Sequence, residues 1–102
     1  MKTRKQYMGG ECSHEEYYSQ FVTDGILDMV EQSIGRDAIK AASWDKHFNS
    51  IPLGRWDCLA GRVNACAAQK LRECGDGLSL AGGVCIAKAA ARMIAEGKAV
   101  EA

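Results

Sequence analysis

Residues 52–74, PLGRWDCLAGRVNACAAQKLREC, decide how this chain folds. Pro52 suits the first turn of a helix, where its missing N–H removes no bond, and Ser50 stands just ahead as an N-cap. Leu53, Trp56, Ala60, Val63, Ala67, Leu71 and Cys74 recur at steps of three and four, which lines them up as one apolar stripe. Cys58, Gly61, Ala65 and Ala68 form a second stripe of small side chains, and Arg55, Arg62, Gln69 and Glu73 take the remaining face. The spacing predicts a helix that packs bulky groups on one flank and admits another backbone closely on the small one. Gly75-Asp76-Gly77 then breaks it.

The following segment fits that small flank. Ser79 is a candidate N-cap, and Leu80 to Ala95 carries only Lys88 and Arg92 as charges. Leu80, Val84, Ala87, Ala91 and Ile94 make one row, and Gly83, Ile86, Ala90 and Met93 make the next. Only a narrow strip of Lys88, Arg92 and Glu96 is polar, so this helix should be covered on most sides. The short connection makes the two helices antiparallel neighbours. The expected fold class is all-α, a small bundle of four or five helices built on this C-terminal antiparallel hairpin.

Upstream, Ser13 and Glu16 spell a capping box, so a helix should begin at His14 with Tyr18, Phe21 and Val22 on its apolar face. Thr23-Asp24-Gly25 interrupts the pattern, with Thr23 or Asp24 as the cap of a fresh start, and Ile26, Leu27, Met29, Val30 and Ile34 resume it. One bent helix over 14–34 and two separate helices are both compatible with this, since a mid-helix glycine costs only ~1 kcal/mol. Gly35 reads as a C-terminal cap and Arg36–Ala42 as a short helix. Residues 43–50, SWDKHFNS, show no period. Their Trp44 and Phe48 are expected to be pinned to the core, closing the open end of the bundle. Residues 1–12 read as a flexible polar arm, and 13–102 as a single helical domain.

Composition excludes several classes. Thirteen basic residues offset thirteen acidic ones, which disfavours nucleic acid as a partner, because phosphate backbones are gripped by many Lys and Arg. Five cysteines, an odd number, sit at 12, 58, 66, 74 and 85, four of them inside helical patterns. That is the usage of reduced core thiols in a cytoplasmic protein, not of a secreted disulfide framework. The basic start, Met-Lys-Thr-Arg-Lys, is followed by no apolar run, and no stretch approaches the ~20 apolar residues of a membrane span.

Three segments carry a resemblance: HEEYYSQFV at 14–22, HFNSIPLGRWD at 47–57 and LAGGVCIAKAAAR at 80–92. Together they resemble a group of small proteins encoded by tailed bacteriophages and prophages, over most of the chain from about Tyr7 to Ala95. That group has no assigned chemistry. The resemblance implies an accessory role in the cytoplasm of a bacterial host, and it transfers no site residues.

Each candidate for chemistry has a plainer account beside it. Cys12-Ser13-His14, with His47, is the nearest approach to a metal motif, but no paired C-x₂₋₄-C or H-x₃₋₅-H unit is present. A Cys–His nucleophilic pair would need Cys58, Cys66, Cys74 or Cys85 beside His47, and their Ala-like surroundings suggest packing. Glu15, Glu16, Asp24 and Asp28 are explained as helix-surface charge. A helix-turn-helix reading fails on a second helix made of Ala, Gly, Val and Ile, with no Asn, Gln or Arg near its start.

Residues 75–83, GDGLSLAGG, are a glycine-rich approach to a helix N-terminus and hence a possible anion site. Gly77, Ser79, Gly82, Gly83 and Lys88 would line it, although the Lys-Ser/Thr ending of a P-loop is missing. The plainer account gives Gly75 and Gly77 to the turn and Gly82 and Gly83 to helix packing.

The function expected is therefore non-catalytic. It is that of a phage or prophage accessory protein binding a host or defence component, without cofactor, metal or membrane. A small anion, nucleotide or nucleic-acid module is the alternative. The Ala-rich last helix also suggests a homodimer, with Ala87, Ala90, Ala91 and Ile94 at the contact.

Overall fold

The computed structural model describes residues 1–98, so the last four residues of the expected 13–102 domain lie outside the described residues. All regular structure among the described residues is helical: α1 (Arg4–Met8), α2 (His14–Ser19), α3 (Asp24–Ile34), α4 (Arg36–Ala42), a 3₁₀ turn (Ser43–Asp45), α5 (Leu53–Glu73) and α6 (Leu80–Glu96). The all-α expectation holds, with six α-helices in place of four or five. None of them is long and apolar enough to cross a membrane.

The boundaries follow local chemistry. Residues 14–34 make two helices because the Thr23 hydroxyl accepts the Ile26 N–H and so caps a fresh start. Ser13 caps α2 by accepting from Glu16 N–H, but its hydroxyl also donates to the Glu16 carboxylate, so the reciprocal half of a capping box is not made there. Gly35, at φ 92°, ends α3 and opens α4 in one residue. Pro52, not Ser50, is the N-cap of α5; the Ser50 N–H instead donates to Asp45. At the far end Gly75, at φ 79°, closes a Schellman motif, its N–H on Arg72 O and the Asp76 N–H on Leu71 O.

The two C-terminal helices pack closely and antiparallel. Asn64 Nδ2 donates to Ser79 O at 2.8 Å, Gly83 faces Ala60, and the Lys88 ammonium lies 5.8 Å from the Trp56 ring centroid, so numbers fall along α5 as they rise along α6. The contact face of α5 departs from expectation. Trp56, Ala60, Val63, Ala67, Leu71 and Cys74 are buried as the main stripe predicts, joined by Leu59 and Asn64. Cys58, Gly61 and Ala65, read as the close-packing flank, face solvent instead, and so does Leu53. The close approach runs through Ala60 and Gly83 because Gly83 itself supplies the missing side chain.

Helix α6 is the last of the helices among the described residues and central in space. Helices α2, α3, α4 and α5 all pack on it. Ala87, Ala90, Ala91 and Ile94 are thereby buried within one chain, which overturns their assignment to a dimer contact. The first half of the chain covers α6 more fully than a count of its apolar residues suggested. Tyr17, Phe21, Ile26, Val30, Ile39 and Phe48 close the same core, each worth about 1.5–3 kcal/mol when fully buried.

Candidate functional site

The segment between α4 and α5 is irregular, yet specific bonds hold it in place. Ser43 Oγ donates to Lys40 O, ending α4, and the 3₁₀ turn carries the chain out to Trp44. The Asp45 carboxylate accepts the Ser50 N–H at 2.8 Å and bridges the loop. Burial opposes the charge on Asp45, but the Ser50 N–H bond, helped by the nearby amides of Asn49 and Phe48, outweighs it and holds the carboxyl below its ordinary value. Lys46 O accepts from Arg92 of α6 at 3.1 Å.

Phe48 is buried edge-on against Trp56, with ring centroids 5.9 Å apart. Lys46 and Phe48 both take positive φ, 60° and 57°, a region that non-glycine residues avoid. Phe48 is thus pinned to the core as expected, whereas Trp44 is not. It is 90% exposed, the most exposed large apolar side chain among the described residues. Leu53, the first residue of α5, is also exposed.

The glycine-rich turn is organised around an internal anion. Asp76 has a side chain only 7% exposed, and it receives Arg4 Nη1 at 3.1 Å, Tyr17 Oη at 2.5 Å and its neighbour's amide, Gly77 N–H, at 2.7 Å. Burial first, and then the bond to Asp76, push the Tyr17 hydroxyl above its ordinary pKa.

The five residues proposed to line an anion site do not converge. The Gly77 N–H is spent on Asp76, the Gly82 N–H on Ser79 Oγ and the Gly83 N–H on Ser79 O. Lys88 stands over Trp56, about 13 Å along the helix from Ser79 at 1.5 Å per residue. The Asp76 charge beside Gly77 further disfavours an incoming anion.

The cysteines need a correction. All five are free, but Cys58 and Cys66 are exposed, Cys12 and Cys85 are half-buried, and only Cys74 is buried. Burial raises the thiol pKa of Cys74 and of Cys85, the latter partly offset by Lys88. His14 lies 3.0 Å from Tyr7 Oη through Nδ1, while His47 sits on the exposed 43–50 loop. Among the described residues no three His, Cys, Asp or Glu side chains gather as a metal ligand set.

An open cleft of about 690 Å³ beside α2 and α6 includes Lys70 and Arg92 in its lining. Both are already engaged, Lys70 with Gln20 O at 2.7 Å and Arg92 with Lys46 O and, at 3.8 Å, Glu15.

The sequence pointed to the glycines. The features it did not mark are the display of Trp44 and the Asp76 hub. Trp44 stood out only as an aromatic in an aperiodic segment, and the partners of Asp76 lie 59 and 72 residues away in the chain. Comparison with protein-family models, with curated proteins and with solved structures finds no match to this chain.

Proposed function

We propose that this chain is a non-catalytic, phage- or prophage-encoded accessory protein that binds a protein of the bacterial host or its defences, and that Trp44 is the residue it presents. The observation that carries this reading is a tryptophan 90% exposed on a loop held in place from both sides. Positive φ at two non-glycine residues costs of order 1–3 kcal/mol each, and such strain clusters at functional positions. Tryptophan is among the residues most often found as binding hot spots, because it delivers a large apolar area with little rotamer entropy to lose. A single exposed indole on a chain of zero formal net charge suits a protein pocket better than a nucleic-acid strand.

The alternative, an anion or nucleotide held at 75–83, has less support, since the amides there are used internally. A pull-down from bacterial lysate with wild type and Trp44→Ala tests the choice. A protein retained by wild type and lost by Trp44→Ala is the expected result. Equal retention by both, or no retained protein together with a nucleotide-dependent rise in Tm, refutes it. Trp44→Ala should leave stability within about 0.5 kcal/mol, so lost binding cannot be blamed on unfolding.

A further inference from the structure

Helix α1 buries no side chain fully, yet Arg4 and Tyr7 on it, and Lys2 just before it, are each met by the rest of the chain. The Gln20 amide grips the Lys2 backbone twice, accepting its N–H at 2.9 Å and donating to its carbonyl at 2.8 Å. Cys74 O accepts the Arg4 N–H at 2.9 Å. The Arg4 guanidinium meets the Asp76 carboxylate, and the Tyr7 ring stacks on Tyr17 with centroids 4.6 Å apart and planes 8° from parallel. His14 Nδ1 lies 3.0 Å from the Tyr7 hydroxyl. A capping box of Thr3 and Gln6 preforms the turn, so Arg4 and Tyr7 share one face, and Gly9 and Gly10 link it to α2.

The receiving side also has partners of its own. Asp76 keeps Tyr17 and Gly77 as donors without Arg4, and the Schellman turn fixes its backbone. The arrangement is that of a peptide seated in a recognition site: backbone acceptors and donors, a carboxylate for a guanidinium and an aromatic face for a ring. The Lys2–Gln20 bonds lie in water, and Arg4 meets the largely buried Asp76 from a half-exposed position, so the contacts of this segment are individually modest and open to exchange.

We propose that the surface formed by His14, Tyr17, Gln20, Cys74 O and Asp76 is a peptide-recognition site. Its ligand is a segment of a partner protein carrying Arg-x-x-Tyr in one helical turn, and residues 1–8 occupy it in cis as a built-in competitor. The complementarity between Arg4 and Asp76 and between Tyr7 and Tyr17 defines the ligand chemistry. This site is separate from the Trp44 loop and does not rest on it.

The test is the binding of a fluorescently labelled synthetic peptide, MKTRKQYMGG, to the full chain carrying Arg4→Ala and Tyr7→Ala, which vacates the site. Saturable binding is expected, at least about tenfold weaker on the unaltered chain, where the cis segment competes at high effective concentration. Gln20→Ala in the vacated chain should weaken it severalfold, and Trp44→Ala should leave it unchanged. Failure to bind the vacated chain, or equal binding of a scrambled peptide, overturns the proposal. Should the vacated chain misfold, the unaltered ¹⁵N-labelled chain decides. Excess unlabelled peptide must move the amide signals of Arg4, Tyr7 and Gly77, and unmoved signals overturn it equally.

Discussion

Replacing Gly83 by alanine separates the packing account of the glycine-rich segment from the ligand account. A Cβ built on Gly83 would lie 2.6 Å from Ala60 O and 2.9 Å from both Ala60 Cα and Ala60 Cβ. Two of these are main-chain atoms of a long helix, so relief requires α5 and α6 to move apart. Overpacking of this kind costs about 1–3 kcal/mol, while the better helix propensity of alanine returns about 1 kcal/mol. Because the obstruction is backbone, a net loss of about 1–2 kcal/mol is expected, or a fall of roughly 4–16 °C in Tm at ~4–8 °C per kcal/mol.

Gly61→Ala is the control. It lies mid-helix on α5, and its Cβ meets nothing within 4 Å. It should stabilise by about 0.5–1 kcal/mol. Urea titrations of both variants give the two signs directly. Adding Ala60→Gly to Gly83→Ala should recover only part of the loss, since the contact with the residue-60 carbonyl persists. A Gly83→Ala protein as stable as wild type would refute the close crossing. A simultaneous loss of phosphate-dependent stabilisation would return the segment to anion binding.

Three further outcomes follow from burial. Ala90→Glu, placed inside the core of one chain, should unfold the protein rather than release monomers, because an unpaired buried carboxylate costs several kcal/mol; a folded, soluble variant by circular dichroism counts against the core assignment. Thiol labelling of the native chain should be fast at Cys58 and Cys66 and slow at Cys74, and peptide mapping that finds the reverse order would misplace the solvent face of α5. Tyr17 has a folded-state pKa above its ordinary value of 10.0, so its contribution to stability is full below that pH and is lost as pH rises beyond it. The alkaline fall in Tm should therefore be shallower for Tyr17→Phe, with the residual slope owed to Tyr18, Cys74 and Cys85, and an unchanged slope would contradict the buried hydroxyl.

Much of the fold was legible because the signals were local. The caps at Ser79 and Thr23, the glycine at 35 and the apolar steps from Trp56 to Cys74 are each properties of a few neighbouring residues. Faces were harder. A small side chain is equally compatible with a close helix crossing and with water, so Cys58, Gly61 and Ala65 could not be told from a packing flank by spacing alone. The Thr3–Gln6 capping box was present in the sequence but lay in a segment too short and polar to announce a helix. Trp44 was misplaced for a different reason: hydrophobicity says what burial would gain, not whether another element arrives to provide it. Asp76 was hidden by distance along the chain, since Arg4 and Tyr17 reach it only after the bundle has closed.

The position of α6 has a consequence for how the protein is made. A ribosome delivers the chain from its N-terminus, and domains ordinarily begin to fold as they emerge. Here α2, α3, α4 and α5 share as their common surface the helix that emerges after all of them. Until residues 80–96 leave the ribosome, the apolar faces of the earlier helices have little to close on, and the contacts that complete the core span large sequence separations. Residues 14–73 by themselves should therefore leave exposed the apolar surface that α6 covers. A stop codon or a proteolytic cut a few residues before Ser79 would leave not a smaller domain but no domain.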